Sequence, residues 1–296
     1  MNSNPLWDVA AVEQAVSRVA AMRPAYSAII GFYGAVFVAQ AHAAEKTSPA
    51  EIRLDNELLE MKTKEGFSLV EPSAFTVDIP AAEKLLPQIC EIAIRSGEKL
   101  GAAGEALTRA MGDGVAMDGL FADVLTDKGR IAELAKTMDV SPQMISLLLY
   151  LAVKPSIAAG VRQLAARLTG SQENQSNCPI CGSAPIIGEL DDDGKQWSHC
   201  SLCWHRWPVK RLACPFCNNR DNHSLEYLYN EDEPEYRVNL CGRCRRYLKV
   251  VDTRKMDRGF YPPLEQVASL HLDLLAAEKE YSHAVASTIS NLESLN

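Results

Sequence analysis

From Trp7 to about Leu168 apolar residues return every three or four positions among Ala, Glu and Lys, which predicts one helix after another. Asp8 caps a first helix running to about Met22, and Pro24 opens a second that runs towards Glu45. Ser48-Pro49-Ala50-Glu51 has the form of an N-cap, a first-turn proline and a capping-box acid, so a helix is expected to start there. The stretch Glu65 to Asp78, holding Gly66, Pro72 and Thr76, reads as a connector, and Ile79-Pro80-Ala81-Ala82-Glu83 opens the next helix. Further helices are predicted near Ala102–Met111, Met117–Met138, Ser141–Val153 and Pro155–Leu168. In the Ser141 helix, Met144, Leu147, Leu148 and Leu151 form one apolar face. The most apolar stretch, Tyr26 to Ala41, is interrupted by Ser27, Gly31, Gly34 and Gln40; it is too short for a bilayer and reads as a buried helix. Cys90 beside Ile89 and Ile92 reads as a small buried hydrophobe, and His42 as an ordinary surface or interhelical histidine.

The pattern then changes. Residues 171–177 are polar and helix-poor and read as a linker after a helical domain over residues 1–170. Beyond them cysteines, aromatics and β-branched residues replace alanine, and strands are predicted at Glu226–Tyr229 and Tyr247–Asp252. Helical spacing returns over residues 263–296, where Val267, Leu270, Leu274 and Leu275 make an apolar stripe expected to pack back on the body.

Eight of the nine cysteines fall in this second part as four CxxC knuckles: Cys178/Cys181, Cys200/Cys203, Cys214/Cys217 and Cys241/Cys244. A knuckle places two sulfurs on one side of a tight turn, half of a tetrahedral site, so four knuckles imply two four-cysteine metal sites. The gaps between knuckles are eighteen, ten and twenty-three residues. Eighteen and twenty-three suit a β-ribbon with a knuckle at each end, which pairs first with second (residues 178–212) and third with fourth (residues 213–262). An interleaved cross-brace, first with third and second with fourth, remains open. Pro179 and Pro215 follow the first cysteine of two knuckles, and Gly182 and Asn218 follow the second, where a left-handed backbone is needed; the other two knuckles, ending in Trp204 and Arg245, match less closely. Four thiolates suit zinc or iron, and closed sites argue against metal-assisted hydrolysis. His199 and His205 read as spectators, and Trp197, Trp204 and Trp207 as filling around the metal core.

A net charge of −8 argues against a nucleic-acid binder. The N-terminus shows no basic segment leading into a long apolar run, so no signal peptide and no membrane insertion are expected. In a reducing cytosol paired CxxC motifs are metal ligands rather than disulfides. Arg243, Arg245, Arg246 and Lys249 form a local basic cluster, either a solvated strand face or a patch for an acidic partner. Paired carboxylates, a nucleophile–base set and a phosphate loop do not emerge, so no catalytic residues are assigned.

Five segments carry a resemblance. They are Cys178 to Pro185, His199 to Cys203 with Trp207, Val209 to Cys214, Cys241 to Cys244 with Tyr247-Leu248-Lys249, and Ala268-Ser269-Leu270-His271-Leu272-Asp273. In order and spacing they resemble the formate dehydrogenase accessory protein family, FdhE, across about Cys178 to Asp273. In the N-terminal half the likeness is one of composition. The resemblance implies a cytoplasmic, non-enzymatic protein with an all-helical N-terminal domain, tandem rubredoxin-like or zinc-ribbon modules and a C-terminal helix. It favours iron over zinc in the two sites and implies binding to the catalytic subunit of formate dehydrogenase during its maturation. Many members have Asp-Asp-Leu where this chain has Glu265-Gln266-Val267. A rubredoxin-like redox carrier is the alternative reading, and a nucleic-acid-binding zinc ribbon a more distant one.

Overall fold

The computed structural model describes residues 5–168 and 175–285. The first four residues of the linker segment, and the end of the C-terminal segment from residue 286, lie outside the described residues. The described residues divide into two compact units, the first built from residues before 53 and from 72 to 163, the second from residues 53–71 and 164–285.

The first unit is helical. It holds α1 (Val9–Met22), α2 (Ser27–Ala44), α4 (Ile79–Ile94), α5 (Glu98–Gly112), α6 (Met117–Thr126), α7 (Arg130–Met138) and most of α8 (Pro142–Ala165); α3 (Asn56–Glu65) belongs to the second unit. Asp8 caps α1 as the sequence leads one to expect, and Asp78 caps α4, each accepting from a first-turn N–H. Phe32, Val36, Leu86, Ile89, Leu148 and Val153 are among the side chains closing the core. Cys90 is buried there, and burial pushes its thiol up to about 11, so it is inert packing.

Three helix expectations before residue 169 need correction. No helix begins at Ser48: that segment is irregular, with the Ser48 N–H donating to Asp78 Oδ2 at 2.8 Å and Thr76 Oγ1 to Ala50 O at 2.6 Å. The helix starts at Asn56 instead, where Asp55 accepts from the N–H groups of Glu57 and Leu58. The helix expected over Met117–Met138 is two, α6 and α7. The buried Asp123 carboxylate accepts the N–H groups of Lys128 and Ile131, and Asp127 (φ 47°) and Gly129 (φ 83°) turn the chain left-handed between them. Conversely, the two helices expected on either side of Lys154 are one, α8.

Pro155 lies inside α8 and cannot donate to the carbonyl of Leu151, which should break the helix. Gln40, buried on α2, supplies the missing donor: its Nε2 reaches Leu151 O at 2.7 Å. Replacing Gln40 by Leu leaves that carbonyl buried and unpaired. A loss of about 1–3 kcal/mol is expected, read as a lower urea midpoint with an unchanged slope. Two helical stretches, Pro24–Ala44 and Pro142–Ala165, have the length and apolarity to cross a bilayer, but 50% and 89% of their apolar windows are buried inside the protein.

The second unit is organised on one mixed sheet. Its strands are β1 (Pro185–Leu190), β2 (Gln196–Cys200), β3 (Arg206–Val209), β4 (Leu225–Asn230), β5 (Glu233–Cys241), β6 (Arg246–Asp252) and β7 (Ser282–His283). The order is β3-β2-β1-β6-β5-β4, with β7 beside the start of β6. Each expected ribbon is present, as β1-β2-β3 and β4-β5-β6. They do not stand apart, however: β1 and β6 pair in parallel from Ile187↔Lys249 to Leu190↔Asp252, and both central strands are largely buried. The turn after α3 joins this unit as well. Gly66 (φ 74°) ends the helix, and the Leu69 and Val70 N–H groups donate to Pro179 and Ile180 carbonyls of the first knuckle.

The expected single C-terminal helix is two short ones, α9 (Pro262–Ala268) and α10 (Leu270–Glu278). Ser269, whose hydroxyl donates to Glu265 O at 2.6 Å, separates them and resets the helical phase. The buried stripe is accordingly Leu264, Val267, Ala268, Leu272 and Ala276, while Leu274 faces solvent.

Candidate metal centres

The knuckles sit at the ends of the ribbons: the first precedes β1, the second joins β2 to β3, the third precedes β4 and the fourth joins β5 to β6. All four have the same backbone. In each, the N–H of the residue after the second cysteine donates to the carbonyl of the first cysteine, at 2.8–3.2 Å. That residue is left-handed in every case: Gly182 (φ 75°), Trp204 (φ 59°), Asn218 (φ 53°) and Arg245 (φ 55°). The second and fourth knuckles, which looked weaker in sequence, thus form the same turn without glycine. At Arg245 the surroundings hold the strained residue in place: its guanidinium lies 4.2 Å from the Tyr281 ring centroid and donates to Lys279 O at 2.9 Å.

The eight sulfurs form two groups, Cys178/Cys181/Cys200/Cys203 and Cys214/Cys217/Cys241/Cys244, each with all ligand atoms within 4.8 Å of one another. The first knuckle therefore meets the second and the third meets the fourth; the cross-brace is not formed. In the first group Sγ separations include 3.5 Å (Cys181–Cys200) and 3.6 Å (Cys178–Cys203 and Cys181–Cys203), and in the second 3.7 Å (Cys214–Cys244 and Cys217–Cys241). A disulfide would need about 2.05 Å. Four sulfurs each about 2.3 Å from a common ion stand about 3.8 Å apart. Donor type, number and spacing thus fit a tetrahedral thiolate site twice over.

The two sites differ in exposure. All four cysteines of the first are buried, whereas Cys217 and Cys244 of the second are half-buried. Burial pushes the Cys178, Cys203 and Cys214 thiols up, because desolvation disfavours the charged thiolate, and the neighbouring cysteines add to it. For Cys241 burial acts the same way but is outweighed by the Cys244 N–H, the Asn219 amide and the Arg243 N–H, which bring it to about 7. Asn219, itself buried, donates through Nδ2 to Cys241 Sγ at 3.6 Å and to Ser224 Oγ at 2.7 Å. Neither His199 nor His205 belongs to a sulfur group. His199 Nε2 is 2.8 Å from Glu189 Oε2, and burial holds both imidazoles below their ordinary range. Trp207 is fully buried and donates to Gln175 O at 2.9 Å, whereas the Trp197 ring centroid has Lys195 Nζ at 4.7 Å and the Arg206 guanidinium at 4.2 Å.

A second constellation was not singled out in the sequence. Lys249 is fully buried, and its Nζ donates to Asp273 Oδ2 (2.7 Å) and Gln266 O (2.8 Å); Tyr247 donates to the other Asp273 oxygen at 2.8 Å. Glu265, equally buried, accepts from Tyr236 and pairs with Arg258. These contacts pin α9 and α10 to β5 and β6. They also correct the basic cluster: Lys249 is buried in this network, Arg245 is clamped by Tyr281 and Lys279, and Arg246 lies over the Phe216 ring. The four cations do not form one patch. A lysine flanked by Tyr247-Leu248 and Val250-Val251, with an aspartate ending Leu270-His271-Leu272-Asp273, was the legible signal.

Residues 177–211 match the family description "FdhE, central domain" and residues 212–289 "FdhE, C-terminal domain". A "Protein FdhE homolog" of Aquifex aeolicus is 34% identical over 108 residues, 35% of this chain and 38% of that protein. One from Haemophilus influenzae strain Rd is 33% identical over 115 residues, 38% of this chain and 37% of that protein. These alignments span less than two fifths of the relatives' length. The crystal structure of the FdhE protein from Pseudomonas aeruginosa aligns with a TM-score of 0.68 at 22% identity, covering 95% of this chain and 94% of that one, so the likeness of fold extends over the helical half. Both domain descriptions are met in succession over residues 177–289, the part that holds the eight cysteines, and this part of the chain belongs to the FdhE family.

Proposed function

We propose that the chain is a cytoplasmic accessory protein for formate dehydrogenase, binding the immature catalytic subunit on a scaffold held rigid by two metal ions. The observation that carries this reading is the pair of closed four-sulfur sites inside the FdhE-matching segment. Cys178, Cys181, Cys200 and Cys203 would hold one ion, and Cys214, Cys217, Cys241 and Cys244 the other. With four protein donors each, neither site keeps a position open for substrate, in line with a role that is not catalytic. Iron, the metal favoured by the family resemblance, would add electron transfer at four thiolates to the structural role. A rubredoxin-like carrier is the second reading, supported by the half-buried Cys217 and Cys244, which bring one site towards the surface.

The test has two arms. A bacterial host lacking its own FdhE is given this chain, and formate dehydrogenase activity and co-purification of the catalytic subunit are measured. Restored activity with the subunit captured is expected; loss of both sinks the accessory reading. Protein purified without oxygen is assayed for metal in parallel. About two ions per chain are expected, and restoration by zinc-loaded as well as iron-loaded protein would eliminate the redox-carrier reading.

A further inference from the structure

The two edges of the sheet are unlike. β3 is four residues long and contains Pro208, a short edge interrupted by a residue without an N–H. β4 is six residues long with neither proline nor lysine, and among the described residues it pairs with β5 alone. Its outer backbone groups therefore form a template for another strand. Tyr227 and Tyr229 stand on the same face of β4, 62% and 57% exposed, with ring centroids 6.0 Å apart. Soluble proteins rarely leave so long an edge with two adjacent aromatic rings in water unless something covers it.

Charge selects the occupant. Glu226 lies on the strand, Glu231 and Asp232 in the turn that follows, and Glu235 on the neighbouring strand; among the described residues none of the four is in an ion pair. The one cation of the hairpin is Arg237, half-buried, with its guanidinium 5.9 Å from the Tyr227 ring centroid. Two copies of this edge brought together would set acid near acid. A segment alternating apolar and basic residues would instead complete the backbone ladder and lay its guanidinium groups on the tyrosine face, where Glu235 also stands and which the acidic turn flanks. We propose that the free edge of β4 receives an extended, basic segment of a partner protein as an added strand. The proposal rests on this edge alone and stands or falls apart from the formate dehydrogenase reading.

The test uses the full, metal-loaded chain and a fluorescent peptide alternating valine and arginine over seven residues, with an otherwise identical valine–glutamate peptide as control. Saturable binding of the arginine peptide is expected, weakening as salt is raised, together with slowed hydrogen exchange confined to β4. The double variant Glu231→Lys/Glu235→Lys, in the turn and on the tyrosine face, should weaken it by about tenfold or more. Leu228→Pro should abolish it; if that variant misfolds, the charge reversal still decides. Equal binding of both peptides, no saturation, or exchange protection elsewhere would overturn the proposal. So would a concentration-dependent dimer protecting the same β4 amides, which would give the edge to a second copy.

Discussion

Alanine at Cys178 or Cys200 should remove cooperative folding from the whole cysteine-bearing unit. Metal-binding free energy in such sites is folding free energy, with apparent values of about 10–16 kcal/mol for structural zinc, against a total stability of about 5–15 kcal/mol for a domain. The first site is closed by four buried sulfurs, its first knuckle anchors the turn after α3, and its ribbon shares a ladder with β6. Loss of one sulfur is therefore expected to reach all these parts, seen as collapse of the near-ultraviolet circular dichroism and of exchange protection in β1 and β6. Alanine at Cys217 should cost less, because that sulfur is half-buried at the end of the sheet. A chelator should strip the second site before the first. Acidification should release both metals, since each ligand must be a thiolate and a proton competes with the ion for every sulfur as pH falls. Unchanged unfolding of the Cys178 variant, or simultaneous loss of both metals, would contradict this ordering.

Removing Lys249 should be the most damaging change outside the cysteines. Burial pulls the lysine's pKa down, and Asp273 opposes that, so the ammonium is held by its carboxylate and by two backbone carbonyls. Lys249→Met leaves Asp273 facing Tyr247 without its cation. Breaking a buried pair from one side costs about 3–5 kcal/mol. The double variant Lys249→Met/Asp273→Leu should regain much of that loss, because no unpaired charge is left behind. Urea unfolding of the two single variants and the double variant measures the coupling. Additive losses would mean that the pair itself contributes nothing and that packing alone is at stake.

The sulfur chemistry was legible because a CxxC knuckle is local: spacing alone puts two sulfurs on one side of a turn. The eighteen- and twenty-three-residue gaps, each sufficient for a ribbon, favoured the observed pairing of knuckles but left the cross-brace open until the sulfurs were seen together. What stayed hidden depends on partners distant in sequence. Pro155 reads as a helix break until Gln40 is seen to satisfy Leu151 O, 111 residues away in the chain. The parallel register between β1 and β6 has no local sign, because a buried central strand looks alike whether its neighbour runs up or down. The Met117–Met138 stretch kept helical spacing through a break that depends on Asp123 bonding forward to Lys128 and Ile131. Lys249 was visible but misread, since a cation beside three arginines suggests surface until Asp273 is placed against it.

The parallel contact of β1 with β6 bears on the order in which the protein is made. A ribosome releases the first four cysteines, and their ribbon can close on its ion, well before Arg246–Asp252 has been synthesised. Until then the inner edge of β1, buried in the finished protein, is open. The early ribbon is a nascent intermediate with an unpaired strand, and only arrival of the last strand of the second ribbon removes its tendency to pair with other chains. Completion of the second ribbon, rather than closure of the first, then becomes the step that decides how much of the chain escapes aggregation.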